Sequence, residues 1–210
     1  CHAYCSFCFR WPQFVGMDEW KFAMKETELL VKYLQKHTEV TDLLFTGGDP
    51  MIMKNKIFAT YIDALIEADI PNLQTIRIGT KALGYWPYKF LTEDDAEDTL
   101  RTFEKIVKSG KNLAIMAHFN HPAELSTDAV KQAIAKVRAT GAQIRTQSPL
   151  MKNINADADI WATMWRQQVN LNCIPYYMFV ARETGAQHYF KVPLVEAWKK
   201  KKKAYQQVSG

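Results

Sequence analysis

Short apolar, strand-like segments alternate with helix-like segments along the whole of this chain, and this alternation limits the folds open to it. Strand-like segments recur about every 30 to 40 residues, each followed by a helical pattern, which is typical of right-handed βαβ units and a parallel sheet. The predicted strands are residues 41–46, 73–79, 113–119, 142–147 and 173–180. The sequence therefore predicts an α/β fold, and these strands alone allow either a barrel or a doubly wound sheet.

The helical segments carry recognisable start and stop signals. A helical pattern follows Gly16 and places Leu30, Val31 and Leu34 on one face. Thr92-Glu93-Asp94-Asp95 has the form of a capping box, which predicts a helix that ends at Ser109-Gly110. The other predicted helices are residues 55–69, one that Ser126 or Thr127 caps and Gly141 ends, 157–170, and one after Pro193. No low-complexity linker divides the chain, so residues 1–210 are predicted to form a single domain.

Three cysteines open the chain as Cys1-His2-Ala3-Tyr4-Cys5-Ser6-Phe7-Cys8. The Cys-x3-Cys-x2-Cys spacing suits three thiolates around one inorganic centre, and a [4Fe–4S] cluster that normally takes four thiolates would keep one iron open. An open coordination position is what a reactive metal site needs. The spacing alone leaves two alternatives, a partial zinc knuckle and three incidental thiols. Zinc would require a fourth ligand at finger spacing, and His2 is too close to Cys1 to share a tetrahedron easily.

Polar and glycine-containing motifs follow the predicted strands. They are Gly47-Gly48-Asp49, Gly79-Thr80, His118 to His121, Gln147 and Arg182. Because the carboxyl ends of parallel strands carry the chemistry of α/β barrels, we expect these motifs at the functional face. Each has a structural explanation as well: the glycines allow a tight turn, Asp49 can fix that turn, and the polar group at His118 can satisfy a strand end. Arg77 lies within a strand and points either to the lumen or to the flanking helices.

Taken together and in order, these motifs resemble the lysine 2,3-aminomutase family of the radical S-adenosylmethionine (SAM) superfamily. The superfamily pattern is Cys-x3-Cys-x-aromatic-Cys, with Phe7 in the aromatic place, and the resemblance runs from Cys1 to about Pro193. The other motifs that carry it are Phe9-Arg10, Gly47 to Pro50, Arg77-Ile78-Gly79-Thr80, His118-Phe119-Asn120-His121-Pro122, Gln147-Ser148 and Pro175-Tyr176-Tyr177.

The resemblance implies a parallel (β/α)6 partial TIM-type barrel, with its first strand missing before Cys1. It implies an isomerase that holds a [4Fe–4S] cluster on Cys1, Cys5 and Cys8, and cleaves SAM to a 5′-deoxyadenosyl radical. That radical would take hydrogen from an amino acid held by pyridoxal phosphate (PLP), whose amino group would migrate from C2 to C3. The implied SAM-binding residues are Phe7, Gly47, Gly48, Asp49, His118 and Gln147.

Substrate recognition is expected to involve two arginines. In the family, the arginine that matches Arg10 grips the substrate carboxylate, a task suited to a planar fork of donors; without the resemblance, Arg10 reads as a surface residue. Lysine-specific enzymes carry an aspartate at the position that Arg182 occupies here. A guanidinium there would repel a lysine side chain if it points inward. The sequence therefore predicts an acidic or neutral amino acid in place of L-lysine.

The resemblance further implies that the chain is a central piece of a longer enzyme, truncated at both ends. The family's cysteine loop follows a first strand, and its PLP lysine lies in a Gly-rich segment near the carboxyl end, which is not found before Gly210. Two other functions stay open: a radical SAM relative that lacks PLP or acts on a protein lysine, and a non-catalytic metal-binding barrel. Retention of the cysteines together with the Gly-Gly-Asp turn favours the enzyme.

Composition restricts the partners. The four cysteines, three of them clustered, indicate a reducing, cytoplasmic setting, and Cys173 is predicted to be a small buried residue. The formal charge of +5 is modest, and Lys199 to Lys203 read as the solvated face of a terminal helix and not as a nucleic-acid site. No apolar segment is long enough for a membrane span. The implied partners are an amino acid and a reductant such as flavodoxin or ferredoxin, with a homo-oligomer left open.

Overall fold

A single all-parallel sheet organises the part of the chain that the computed structural model describes, residues 1–13, 26–181 and 186–209. Its strands are β1 (Asp42–Phe45), β2 (Thr75–Thr80), β3 (Asn112–His118), β4 (Gln143–Leu150) and β5 (Ile174–Val180). They lie in the spatial order β1-β2-β3-β4-β5. A doubly wound sheet reverses its strand order at a switch point, and the described strands show no reversal. The fold is therefore α/β with the winding of a partial TIM-type barrel, as predicted.

Most of the helices fall where the periodicity predicts them, and the two short helices, Ala82–Tyr85 and Gln187–Phe190, were not predicted. They are α1 (Thr27–Lys36), α2 (Asn55–Glu67), α3 (Ala82–Tyr85), α4 (Ala96–Lys108), α5 (Asp128–Ala139), α6 (Ala158–Asn170), α7 (Gln187–Phe190) and α8 (Leu194–Tyr205). Thr127 caps α5, because its hydroxyl accepts a hydrogen bond from the backbone N–H of Val130. Thr127, of the two candidates, is therefore the cap. The part of the first predicted helix that directly follows Gly16 lies outside the described residues.

The two faces of the sheet have different environments. One face packs against the helices and contributes fully buried side chains to the core, such as Ile76, Ile115 and Ile144. The residues between them point the other way, to what we call the inner face. Register partners place Arg77 beside Ala114 and Met116 beside Arg145 on that face. Arg77 therefore points away from the helices, which decides between its two predicted orientations.

The predicted capping box at Thr92 to Asp95 is wrong. Helix α4 begins at Ala96, and the side chain of Asp95 makes no capping hydrogen bond to it. The Asp95 carboxylate instead binds Lys89, whose ammonium nitrogen lies 2.8 Å and 2.9 Å from its two oxygens, and it also accepts the Asn55 backbone N–H at 2.6 Å. Lys89 is only 2% exposed, so the carboxylate is needed to neutralise a buried ammonium.

The carboxyl-terminal helix packs on α6 through its small residues. Ala197 and Ala204 are buried in this contact, and the rings of Trp165 and Tyr205 meet edge to face. The lysine run from Lys199 to Lys203 lies on this helix and is largely exposed, as predicted. Cys173 is buried as predicted, and burial raises the pKa of its thiol to about 12. Within the described residues, no helix is both long and apolar enough to cross a membrane.

Candidate active site

The cysteine segment lies at the carboxyl edge of the sheet. Cys5 and Cys8 belong to one tight turn, in which the backbone N–H of Cys8 donates to the carbonyl of Cys5 at 3.0 Å. Cys1, Cys5 and Cys8 are all free thiols; Cys1 is exposed and the other two are half-buried. Burial raises the pKa of the Cys5 thiol, and the positive charge of Lys81 acts in the opposite direction. The segment thus offers three soft sulfur donors to one edge of the site.

These donors fit an iron–sulfur cluster in their chemistry, since thiolates are the ligands that such clusters take. Among the residues that the structure describes, no group of three or more His, Cys, Asp or Glu side chains is gathered around a point that could hold a metal ion. The three predicted ligands therefore share a segment and an edge of the fold without forming a closed metal site.

The glycine turn after β1 contacts the first cysteine directly. Gly47 has a φ of +140°, a conformation that side-chain-bearing residues rarely adopt. A β-carbon on Gly48 would lie 3.0 Å from the backbone nitrogen of Cys1 and 3.2 Å from its Cβ. The predicted tight-turn conformation is confirmed at Gly47, whereas the predicted approach of a ligand to Gly48 stays a prediction. Gly47 provides the backbone conformation, and Gly48 permits a close approach, here by Cys1.

Asp49 fixes this turn to the end of the neighbouring strand. It is 5% exposed, and its Oδ1 accepts the Met51 backbone N–H at 3.0 Å and the Thr80 hydroxyl at 2.7 Å. Its Oδ2 accepts the Lys81 backbone N–H at 2.8 Å. The His2 imidazole lies 3.9 Å from the same oxygen. The carboxylate thus joins the loops that follow β1 and β2 and brings the cysteine segment against them.

His118 ends β3 and meets the aromatic residue of the cysteine motif. The rings of Phe7 and His118 lie 5.6 Å apart between centroids, and Phe7 also contacts Phe190 at 6.0 Å. The Nε2 of His118 lies 2.7 Å from the Oδ1 of Asn120. Because this oxygen is an acceptor, Nε2 carries the proton and Nδ1 is left as an acceptor. Burial and then the charge of Lys81 lower the pKa of His118 to about 4, so the imidazole is neutral at pH 7.

A buried polar network supports His118 from behind. Asn120 Oδ1 also accepts the Ser148 hydroxyl at 3.1 Å, and Asn155 donates to the Asn120 carbonyl at 2.9 Å. The Glu124 carboxylate accepts the Asn120 backbone N–H and binds the Lys81 ammonium at 2.9 Å. Buried polar groups with every partner present hold one geometry firmly. Sequence reasoning missed Asn155 and Glu124, since neither stands at a strand end.

Gln147 lies beside His118, although not at a strand end. The two residues are register partners on β3 and β4, and both face inward. The prediction that Gln147 ends its strand is wrong, because β4 continues to Leu150. The position is still at the carboxyl edge of the sheet, since β3 ends at His118. The structure therefore brings Phe7, His118 and Gln147 to one corner of the site.

The structure describes only one of the two arginines that were predicted to bind substrate. Arg10 lies at the carboxyl edge near the end of β1, where its Nη1 is 3.4 Å from the Thr46 hydroxyl and its Nε donates to Gln13 at 2.8 Å. Among the described residues, no carboxylate pairs with this guanidinium. Arg182 lies outside the described residues, so its predicted orientation stays a prediction.

Comparison with known proteins identifies the family. The chain is 34% identical over 93% of its length to a protein of Aquifex aeolicus named "Putative L-lysine 2,3-aminomutase", and covers 50% of that protein. It is 28% identical over 94% of its length to the L-lysine 2,3-aminomutase of Haemophilus influenzae, covering 54% of it. This chain belongs to the lysine 2,3-aminomutase-like family. No family model matches it.

Relatives within this aminomutase family differ in the substrate that their names give. The chain is 26% identical over 90% of its length to the glutamate 2,3-aminomutase of Clostridioides difficile, covering 42% of that protein. It thus spans about half the length of the curated relatives that it matches.

Proposed function

We propose that this chain forms the catalytic barrel of a radical SAM aminomutase, an isomerase that moves an amino group between adjacent carbons of an amino acid. The observation that carries the proposal is the contact of the cysteine segment with two separate strand ends. Cys1 packs on Gly48 after β1, and Phe7 packs on His118 at the end of β3. Family membership supports the reaction class.

The chain's own residues divide into ligand-holding and positioning groups. Cys1, Cys5 and Cys8 would hold a [4Fe–4S] cluster, which when bound supplies the electron for cleavage of SAM. Gly47, Gly48, His118 and Gln147 border the place where SAM would lie, and Phe7 closes that corner. His118, neutral at pH 7, offers Nδ1 as an acceptor and adds no charge. Asp49 holds the turn through its backbone and hydroxyl partners, and a contact with SAM remains part of the proposal.

Two lysines with little exposure to solvent already have carboxylate partners. The lysine that follows β2, Lys81, is held by Glu124 at 2.9 Å, and Lys89 is buried against Asp95. PLP therefore remains an expectation for the full-length protein, and no step is assigned to it. Arg10 would bind the α-carboxylate of the substrate, since its guanidinium lies at the carboxyl edge without a carboxylate partner among the described residues. Arg182 favours an amino acid other than lysine on the condition that its side chain points inward.

The proposal is tested by anaerobic reconstitution of the full-length protein with iron and sulfide. We expect about four irons per chain, and conversion of an α-amino acid to its β-isomer that depends on SAM and dithionite. Alanine at Cys1, Cys5 or Cys8 should abolish both SAM cleavage and product formation. Cys173→Ala is the matched control, because Cys173 is a buried core residue and should leave the iron content unchanged. Stoichiometric zinc after anaerobic purification would contradict the proposal.

A further inference from the structure

A break in strand register brings two tyrosines together on the inner face. The pairing of β4 with β5 places Thr146 opposite Pro175 but Gln147 opposite Tyr177, so Tyr176 is an extra residue on β5. Such a bulge disturbs the alternation that would send neighbouring side chains to opposite faces. The rings of Tyr176 and Tyr177 consequently lie 4.0 Å apart between centroids, and their hydroxyls are 3.2 Å apart.

Two arginines lie beside these tyrosines. The guanidinium of Arg145 lies over the ring of Tyr176, 5.4 Å from its centroid. The positive charges of Arg77 and Arg145 both act on the Tyr177 hydroxyl. We call Arg77, Arg145, Tyr176 and Tyr177 the arginine–tyrosine cluster. Its members come from β2, β4 and β5, and it covers the inner face below Gln147.

The charges of the cluster do not cancel. Arg77 forms an ion pair with Asp42, with Nε 2.7 Å from Oδ1. Arg145 hydrogen-bonds to the neutral side chain of Gln143 at 3.0 Å, and none of the described carboxylates pairs with it. A guanidinium stacked on an aromatic ring is held in place and keeps its donors in one plane. Among the described residues, the arginine–tyrosine cluster therefore presents one unneutralised positive charge with a fixed fork of donors.

We propose that Arg145, assisted by the hydroxyls of Tyr176 and Tyr177, binds the side-chain carboxylate of an acidic amino acid substrate. The inference rests on the proposed aminomutase function and names its substrate class. A planar fork of N–H donors suits bidentate binding of a carboxylate, and a single unpaired charge matches a single carboxylate. Because Tyr177 donates to Tyr176, the Tyr176 hydroxyl keeps a proton to donate to a ligand.

The depth of Arg145 agrees with this assignment. Arg145 lies two residues before Gln147 on β4, and at about 3.3 Å per residue its Cα lies roughly 7 Å further from the carboxyl edge. Arg10 lies at that edge. An amino acid whose α-carboxylate is held at the edge would direct its side chain inward. A short dicarboxylic amino acid has roughly the length needed to reach the Arg145 layer.

The test is isothermal titration calorimetry of the full-length protein with glutarate, glutaramide and inorganic phosphate. We expect glutarate to bind and the neutral diamide not to. Arg145→Gln should weaken glutarate binding by about tenfold or more, as the loss of a charge-assisted hydrogen bond predicts. Arg145→Lys keeps the positive charge but not the planar fork of donors, so it should weaken glutarate binding less than Arg145→Gln does. Arg101→Gln is the matched control, because Arg101 is an exposed residue on helix α4. Circular dichroism confirms that each variant is folded.

The possible outcomes separate this inference from the proposed function. Loss of glutarate binding only in the Arg145 variants supports the inference, whether or not the protein forms β-amino acids. Unchanged glutarate affinity in Arg145→Gln, or an equal loss in Arg101→Gln, overturns it even if the enzyme is an active aminomutase. Binding of phosphate but not of glutarate through Arg145 also overturns it, because the anion would then not be a carboxylate. The result in each case does not depend on SAM cleavage.

Discussion

Gly48 and Cys1 are in backbone contact, although 46 residues separate them in the sequence. A β-carbon on Gly48 would lie 3.0 Å from the Cys1 nitrogen and 3.3 Å from its Cα. The family resemblance implied that this glycine contacts SAM, and the structure places the first cysteine of the motif against it. The glycine turn therefore positions Cys1, the first of the three proposed cluster ligands.

A side chain at position 48 should displace Cys1. We expect Gly48→Ala to cost about 1 kcal/mol of stability, and Gly48→Val about 1 to 3 kcal/mol, because backbone atoms cannot move aside as a flexible side chain can. Both variants should hold less iron after reconstitution and bind SAM more weakly. Gly79→Ala is the control, since a β-carbon there would have its nearest neighbour at an ordinary 3.7 Å. Full iron content in a folded Gly48→Val variant would contradict this, because it would show that Cys1 can shift without any loss of iron binding.

Asp49 is predicted to stabilise the fold in addition to any contact with a ligand. Its buried carboxylate accepts hydrogen bonds from Met51, Thr80 and Lys81. Hydrogen bonds to a charged group contribute about 1.5 to 3 kcal/mol each and are not additive, so Asp49→Ala should lower the free energy of unfolding by about 2 to 4 kcal/mol. Urea denaturation measures the change. Asp94→Ala is the control: Asp94 is exposed, so the free energy of unfolding of this variant should lie within about 0.5 kcal/mol of the wild-type value.

The buried ion pair between Lys89 and Asp95 gives a third prediction. Lys89→Met should lower stability by about 3 kcal/mol at pH 7, because Asp95 loses its neutralising partner. Burial opposes ionisation of Asp95, but the hydrogen bonds from Lys89 and Asn55 prevail and lower its pKa. A lowered carboxyl pKa adds stability above the unfolded value, and this stability is lost as pH falls through the folded value.

The Lys89→Met variant should therefore lose less stability than the wild type on acidification from pH 5 to pH 3. Urea denaturation at both pH values measures the difference. A double-mutant cycle with Asp95→Asn gives the coupling between the two residues. A coupling energy near zero would mean that the pair only compensates for its own burial.

The arrangement of strands could be predicted because apolar segments bounded by glycine, aspartate and proline are short-range signals. The end of β4 could not be predicted in the same way, since Ser148-Pro149 has the appearance of a strand break. Beyond Gln147, however, β4 pairs with β5 alone. A proline is tolerated there, because a strand bonded on one side has backbone groups that need no partner.

The candidate site was predictable in its residue types and less so in its contacts. The edge location of Gly47, Gly48 and His118 follows from their positions after predicted strands. The burial of Lys89 and the bulge at Tyr176 do not follow, because each depends on a partner in another segment or strand. Arg145 was missed for the same reason: a basic residue in a strand shows its significance only when the register assigns it to the inner face.

The last prediction concerns the proton affinity of His118. Burial and the charge of Lys81 lower the pKa of this imidazole from 6.5 to about 4. Between these values, the unfolded chain takes up a proton that the folded chain does not, so stability falls as the pH is lowered. From pH 7 to pH 5 the loss from this residue should be about 2 kcal/mol.

The pH dependence of stability can be measured on the cluster-free protein, without interference from iron. We expect the wild type to lose about 2 kcal/mol more than His118→Gln between pH 7 and pH 5, since glutamine does not titrate. Nuclear magnetic resonance gives an independent value, because the Hε1 shift of His118 should titrate with a midpoint near pH 4. A midpoint near 6.5 would mean that the imidazole is open to water.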